Sequence, residues 1–186
     1  IQKNLTLTGA GIGQTIVQPP TGSGNCVAGI TGVGTNWETD YLLAAYPTDW
    51  NGMAATGTPI QVKVDGFTFD ANNTTHSCGS RYTGVFFGCV KGTNYADAGL
   101  FNSSVINFGT TYPSATGVRI LGDSKLSVKD CDNIEYTING IAAYGDLSTA
   151  ADPDVLLDGN TMICSLTTLS GNDEYALNVC FGSTGT

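Results

Sequence analysis

The feature that most constrains this chain is a phrase it keeps restating: a short alternating strand, a corner containing Gly or Asn, then another short strand. Val64-Asp65-Gly66-Phe67-Thr68-Phe69 states it once. Ser104-Val105-Ile106-Asn107-Phe108, Asp132-Asn133-Ile134-Glu135-Tyr136 and Asn160-Thr161-Met162-Ile163-Cys164 restate it. Each is followed by a strand of similar cast: Thr83-Gly84-Val85-Phe86-Phe87, Thr116-Gly117-Val118-Arg119-Ile120, Asn139-Gly140-Ile141-Ala142-Ala143 and Tyr175-Ala176-Leu177-Asn178-Val179. Such recurrence marks a chain that winds coil upon coil, because one repeat alone cannot bury its own apolar face. The pattern predicts Phe67, Ile106, Ile134 and Met162 as inward residues of the first strands. In the second strands it predicts Val85, Val118, Ile141 and Leu177, with all of these stacking into internal ladders. The loops between strands vary in length, as a stacked core permits. Asn and Asp at the corners tolerate left-handed backbone and supply local hydrogen bonds.

Composition points the same way and excludes several partners. Charged residues are only 12% of the 186, about half the usual share, while 41% are hydrophobic. Good helix formers such as Glu, Lys and Arg are scarce, so the chain is expected to be all-β. Net charge is −9 with seven Lys and Arg. Phosphate neutralisation needs basic side chains, so nucleic acid is not an expected partner, and an anionic membrane surface is disfavoured for the same reason. No stretch approaches the roughly 20 apolar residues of a membrane span.

The chain is read as a single domain in three parts. Residues 1–18 form a first coil, opened by Lys3-Asn4-Leu5-Thr6-Leu7-Thr8-Gly9, in which Leu5 and Leu7 face one way and Thr6 and Thr8 the other. Residues 19–59 break the rhythm as an irregular insertion that holds Trp37 and Trp50; within it, Tyr41 to Tyr46 reads as a helical turn or a short strand. Residues 60–186 return to regular coils. Ile1 is not an initiator Met, so a processed form or part of a longer chain is expected.

Lys3-Asn4-Leu5-Thr6-Leu7-Thr8-Gly9-Ala10-Gly11 followed by Gln14-Thr15-Ile16-Val17 resembles the opening coil of right-handed parallel β-helix proteins, the pectate-lyase-like superfamily with its many bacterial and archaeal surface relatives. The resemblance covers residues 1–18 and 60–182. It implies a right-handed parallel β-helix, a β-solenoid with loops of free length. It does not choose among the lyases, hydrolases, esterases, adhesins and envelope proteins that share the fold.

Polysaccharide lyases of this kind use an Asp cluster that binds calcium and an Arg or Lys that removes a proton. Here Arg119 alternates with Val118 and Ile120 and is expected to face outward. Asp130 and Asp132 would stack near Asp158 and Asn160, with Lys129 beside them, giving an acidic ridge whose hard oxygens suit Ca²⁺. Turn chemistry alone also explains these residue types. The tight Asn-Thr-Asp, Asp-Asp and Gly-His-Gly motifs of the hydrolases are missing, and His76 has no flanking carboxylate pair. No catalytic constellation assembles, and no cofactor other than calcium is indicated.

Six cysteines, Cys26, Cys78, Cys89, Cys131, Cys164 and Cys180, are an even number without zinc spacing. They are disulfide candidates, which would place the protein outside the cytosol, or else small buried thiols facing the core. Trp37, Tyr41, Tyr46 and Trp50 are candidates for burial at an interface or for stacking on sugar rings. Strands reach almost to both ends, where Leu5, Leu7, Leu177, Val179 and Phe181 would form edges able to pair with another copy. The sequence therefore predicts a structural, extracellular or cell-surface protein that self-assembles into a layer, sheath or filament. The alternative is a carbohydrate-active β-helix protein, either a Ca-dependent polysaccharide lyase or an adhesin-like module that binds cell-surface polysaccharide.

Overall fold

Alternation at period two makes strands, and here the strands are laid down three to a coil. The computed structural model describes residues 1–19, 40–51, 56–72, 82–108, 115–145, 152–165 and 175–180. The first coil is β1 (Leu5–Thr8), β2 (Ile16–Val17) and β3 (Asp40–Ala45), and the second is β4 (Val62–Asp65), β5 (Thr68–Asp70) and β6 (Tyr82–Gly88). The third is β7 (Gly99–Phe101), β8 (Ser104–Ile106) and β9 (Ala115–Leu121), and the fourth is β10 (Lys125–Lys129), β11 (Asn133–Tyr136) and β12 (Asn139–Tyr144). The fifth is β13 (Asp154–Asp158), β14 (Met162–Cys164) and β15 (Tyr175–Cys180).

Each coil gives one strand to each of three five-stranded sheets: β1-β4-β7-β10-β13, β2-β5-β8-β11-β14 and β3-β6-β9-β12-β15. Every neighbouring pair is parallel. The described residues contain no helix, so the protein is all-β and compatible with a β-solenoid. Val64-Asp65-Gly66-Phe67-Thr68-Phe69 together with the strand after it makes up one such three-strand coil. The restatements at Ser104, Asp132 and Asn160 begin after the first strand of their coil, such as Lys125–Lys129, where Leu126 and Val128 face in.

The interior is a set of apolar ladders. Leu43, Val85, Val118, Ile141 and Leu177 pair in register along the third sheet, as the repeat predicts for the last four. In the second sheet the ladder is Val17, Phe69, Val105, Ile134 and Met162. Phe67 and Ile106, expected inward, are displaced from it. Phe69 and Val105 are fully buried instead, Phe67 lies at the corner and Ile106 pairs with Asp70 on the outer face. The first sheet contributes Leu7, Val64, Leu100, Val128 and Leu157. The segment from Tyr41 falls where an irregular insertion was expected, and it supplies β3, which completes the first coil.

Corners between the first and second sheets are stacked too. Gly66, Asn102, Asp130 and Gly159 all have positive φ, from 44° to 80°. Gly adopts this backbone without strain and Asn or Asp with little, so these residue types recur at the corner. The first three amides continue the ladder to the next coil: Gly66 N donates to Phe101 O at 3.1 Å, Asn102 N to Lys129 O at 3.0 Å and Asp130 N to Asp158 O at 2.9 Å.

Candidate functional site

The acidic ridge is built from these corners, and two of its members, Asp158 and Asn160, are engaged with other groups. Asp130 holds a left-handed corner, exposed to solvent. Asp158 forms an exposed salt bridge with Lys129, Nζ to Oδ2 2.8 Å, and this contact raises the Lys129 pKa. Asn160 spends both ends of its amide on backbone, donating from Nδ2 to Val128 O (2.7 Å) and accepting at Oδ1 from Cys131 N (3.1 Å). Asp132 is exposed beside them. Among the described residues no three His, Cys, Asp or Glu side chains converge as a metal site would need, so Asp130, Asp132 and Asp158 are not gathered into one ligand set.

Arg119 occupies the outer face of the third sheet, as its alternation predicts, but only 9% of it is exposed. Its guanidinium lies 5.3 Å from the Tyr144 ring centroid. It is a packed cation, covered on the face where a lyase base would have to meet substrate.

The aromatics form a second, smaller cluster outside the same sheet. Tyr41, Tyr46 and Trp50 close over Phe86, with centroids at 5.2, 6.5 and 5.9 Å, and Phe86 is fully buried beneath them. Gly88 makes room for Trp50, since a Cβ there would lie 3.0 Å from ring atoms Cζ3 and Cη2. Tyr41 is itself buried, and Tyr46 and Trp50 are half-buried, so these rings are committed to one another. Trp37 lies outside the described residues.

Among the cysteines, Cys131 is a buried free thiol and Cys164 an exposed one. Cys89 is buried, and burial pushes its thiol, like that of Cys131, up to about 11. Cys26 and Cys78 lie outside the described residues, and so does the side chain of Cys180. The described residues show no disulfide.

Among the described residues, the two ends of the stack have no further strand over them. The middle coils are almost wholly buried, yet on the fifth coil Leu177 is 45% exposed although its register places it in an inward ladder. Leu156, Ile163 and Tyr175 of that coil are similarly exposed. At the other end Leu5 and Leu7 are half-buried and Ile16 is exposed. Among the described residues β13, β14 and β15 each have a strand on one side only. Val179 extends β15 on the same edge, while Phe181 lies outside the described residues. Sequence reasoning missed one occupant of the opposite edge. Ile1 lies against β3, its nitrogen donating to Ala44 O at 2.8 Å while Tyr46 N donates to Ile1 O at 3.0 Å.

Compared with protein-family models, with curated proteins and with solved structures, the chain matches none.

Proposed function

We propose that this chain is a structural subunit of an extracellular or cell-surface assembly, a layer, sheath or filament, in which copies join through the ends of the stack. The observation that carries this reading is Leu177. It continues a ladder whose previous members, Val85, Val118 and Ile141, are fully buried, but it meets water instead of a sixth member. Full burial of a Leu is favourable by about 1.5–3 kcal/mol, so a further strand over the fifth coil is favoured, and the parallel backbone edge offers it hydrogen bonds. The two ends of a parallel stack differ, so copies joined end to end make a heterologous contact that extends without closing.

The finer fold belongs to the same proposal: a right-handed parallel β-helix of the pectate-lyase-like kind. Parallel connections that return to the same sheet are right-handed in about 98% of cases, which supports that hand. The extracellular placement rests on the likeness of the opening coil to surface members of that superfamily. Electron microscopy and sedimentation of the purified chain over a range of concentrations test the reading. Ordered polymers are expected; monodisperse particles at every concentration would sink it.

A further inference from the structure

Ile1 shows how the first coil receives a strand. Its two hydrogen bonds, N to Ala44 O and O from Tyr46 N, are those of a parallel partner centred on Ala45. Ala45 begins the ladder that continues through Phe87, Ile120, Ala143 and Val179. Ile1 therefore stands in the place that a sixth member of that ladder would take. It also packs against the core, as Leu7, Val17 and Leu43 do.

The charges of the two ends are opposite where the first and second sheets meet them. Residues 1–19 carry Lys3 and no carboxylate, whereas residues 152–165 carry Asp152, Asp154 and Asp158 and no Lys or Arg. If the fifth coil of one molecule is set on the first coil of the next, the register that pairs Lys125 with Asp154 puts Asp154 opposite Asn4, next to Lys3. The same register sets Val155 and Leu157 on Leu5 and Leu7, Met162 on Val17 and Leu177 on Leu43. All four pairs are apolar.

We infer that a second copy of this chain docks its fifth coil on the first coil in this parallel register, and that Ile1 holds the place of the incoming Val179, so that Ile1 must leave before copies join. The inference rests on the self-assembly reading above and gives it a partner face and a lock. A site that is mostly occupied by its own chain is available to a partner for only a fraction of the time, and apparent affinity falls by that fraction.

The test is polymerisation followed by sedimentation, comparing the 186-residue chain with a variant lacking Ile1 and Gln2, with Leu177→Lys, and with Lys3→Glu alone or joined to Asp152→Lys. Circular dichroism of each variant confirms the folded monomer. Removing Ile1 and Gln2 is expected to lower the critical concentration about tenfold. Leu177→Lys is expected to abolish assembly, and Lys3→Glu to raise the critical concentration severalfold, with Asp152→Lys restoring it. If the parent chain polymerises but removal of Ile1 and Gln2 changes nothing, the inference is overturned and the self-assembly reading stands. If both polymerise and the shortened chain does so at a lower concentration, the lock is established. If neither does, both fall.

Discussion

Gly117 has no room for a methyl group. A Cβ built there would lie 2.4 Å from Ile134 Cγ2, 2.7 Å from Gly140 O and 3.0 Å from Glu135 O. Gly84 and Gly140, at the same place in the neighbouring coils, are as tightly faced, by Val105 Cγ1 at 2.3 Å and by Ala176 O at 2.5 Å. The three glycines form a column over which the inward ladder of the second sheet packs, and backbone carbonyls close it on the other side. Those carbonyls belong to the ladders and cannot retreat without breaking them. Gly117→Ala is therefore expected to destabilise by about 2–3 kcal/mol, the upper range for an overpacked core, as read from a denaturant midpoint. A loss below about 0.5 kcal/mol would show that the two sheets separate freely. The Thr-Gly-Val phrase is plain in the sequence, where it reads as the start of a strand. Its real task, letting one sheet lie directly on another, becomes visible only when Gly117 is seen against Ile134.

At the scale of one coil, the corner from β10 to β11 places Cys131 in the core, its Sγ 3.6 Å from Lys129 O and 3.9 Å from Leu100 O. Burial raises its thiol from 9.0 to about 11, and Cys89 in the second coil is raised likewise. A folded pKa above the unfolded one means that the neutral thiol stabilises the fold below pH 9, and that this contribution is lost as pH climbs from 9 through about 11. The expected loss is up to about 1.4 kcal/mol per pH unit for each thiol, and Cys131→Ala should remove its share of that slope from a midpoint-against-pH series. A slope unchanged by the substitution would contradict the assignment.

Legibility at this scale follows from how regular the alternation is. The third-sheet ladder is legible because Val85, Val118 and Ile141 each follow a Gly at the same offset. The second-sheet ladder slips because the positive-φ residue, Gly66 or Asn102, ends one strand and restarts the alternation in a new phase. Period two cannot be carried across such a corner: Ile106 is one residue out of phase with the buried Val105, while Phe67 shares the phase of Phe69 but stands in the corner before β5. The acidic ridge was legible as a cluster but not as a set of engaged corners, since the bonds of Asn160 and Asp158 run between coils.

For the whole molecule, the stack has one axis, and strand spacing fixes its length. Neighbouring strands in a sheet lie about 4.8 Å apart, so five coils advance about 24 Å along the axis. If copies join end to end with the ladders in register, that distance becomes the repeat of the polymer. A filament whose subunits instead meet side by side keeps the 4.8 Å spacing within each subunit but has no reason to repeat at 24 Å. Each subunit also brings a formal charge of −9, which in so short a repeat is a strong self-repulsion. Salt near physiological strength shortens the Debye length to about 8 Å, below the subunit repeat, so polymers should form there and thin out at about 0.01 M, where it reaches 30 Å. Fibre diffraction or filament images at physiological salt are thus expected to show an axial repeat of about 24 Å together with the 4.8 Å strand reflection. Polymers that lack the longer repeat would place the contact on the sides of the stack and leave Leu177 uncovered.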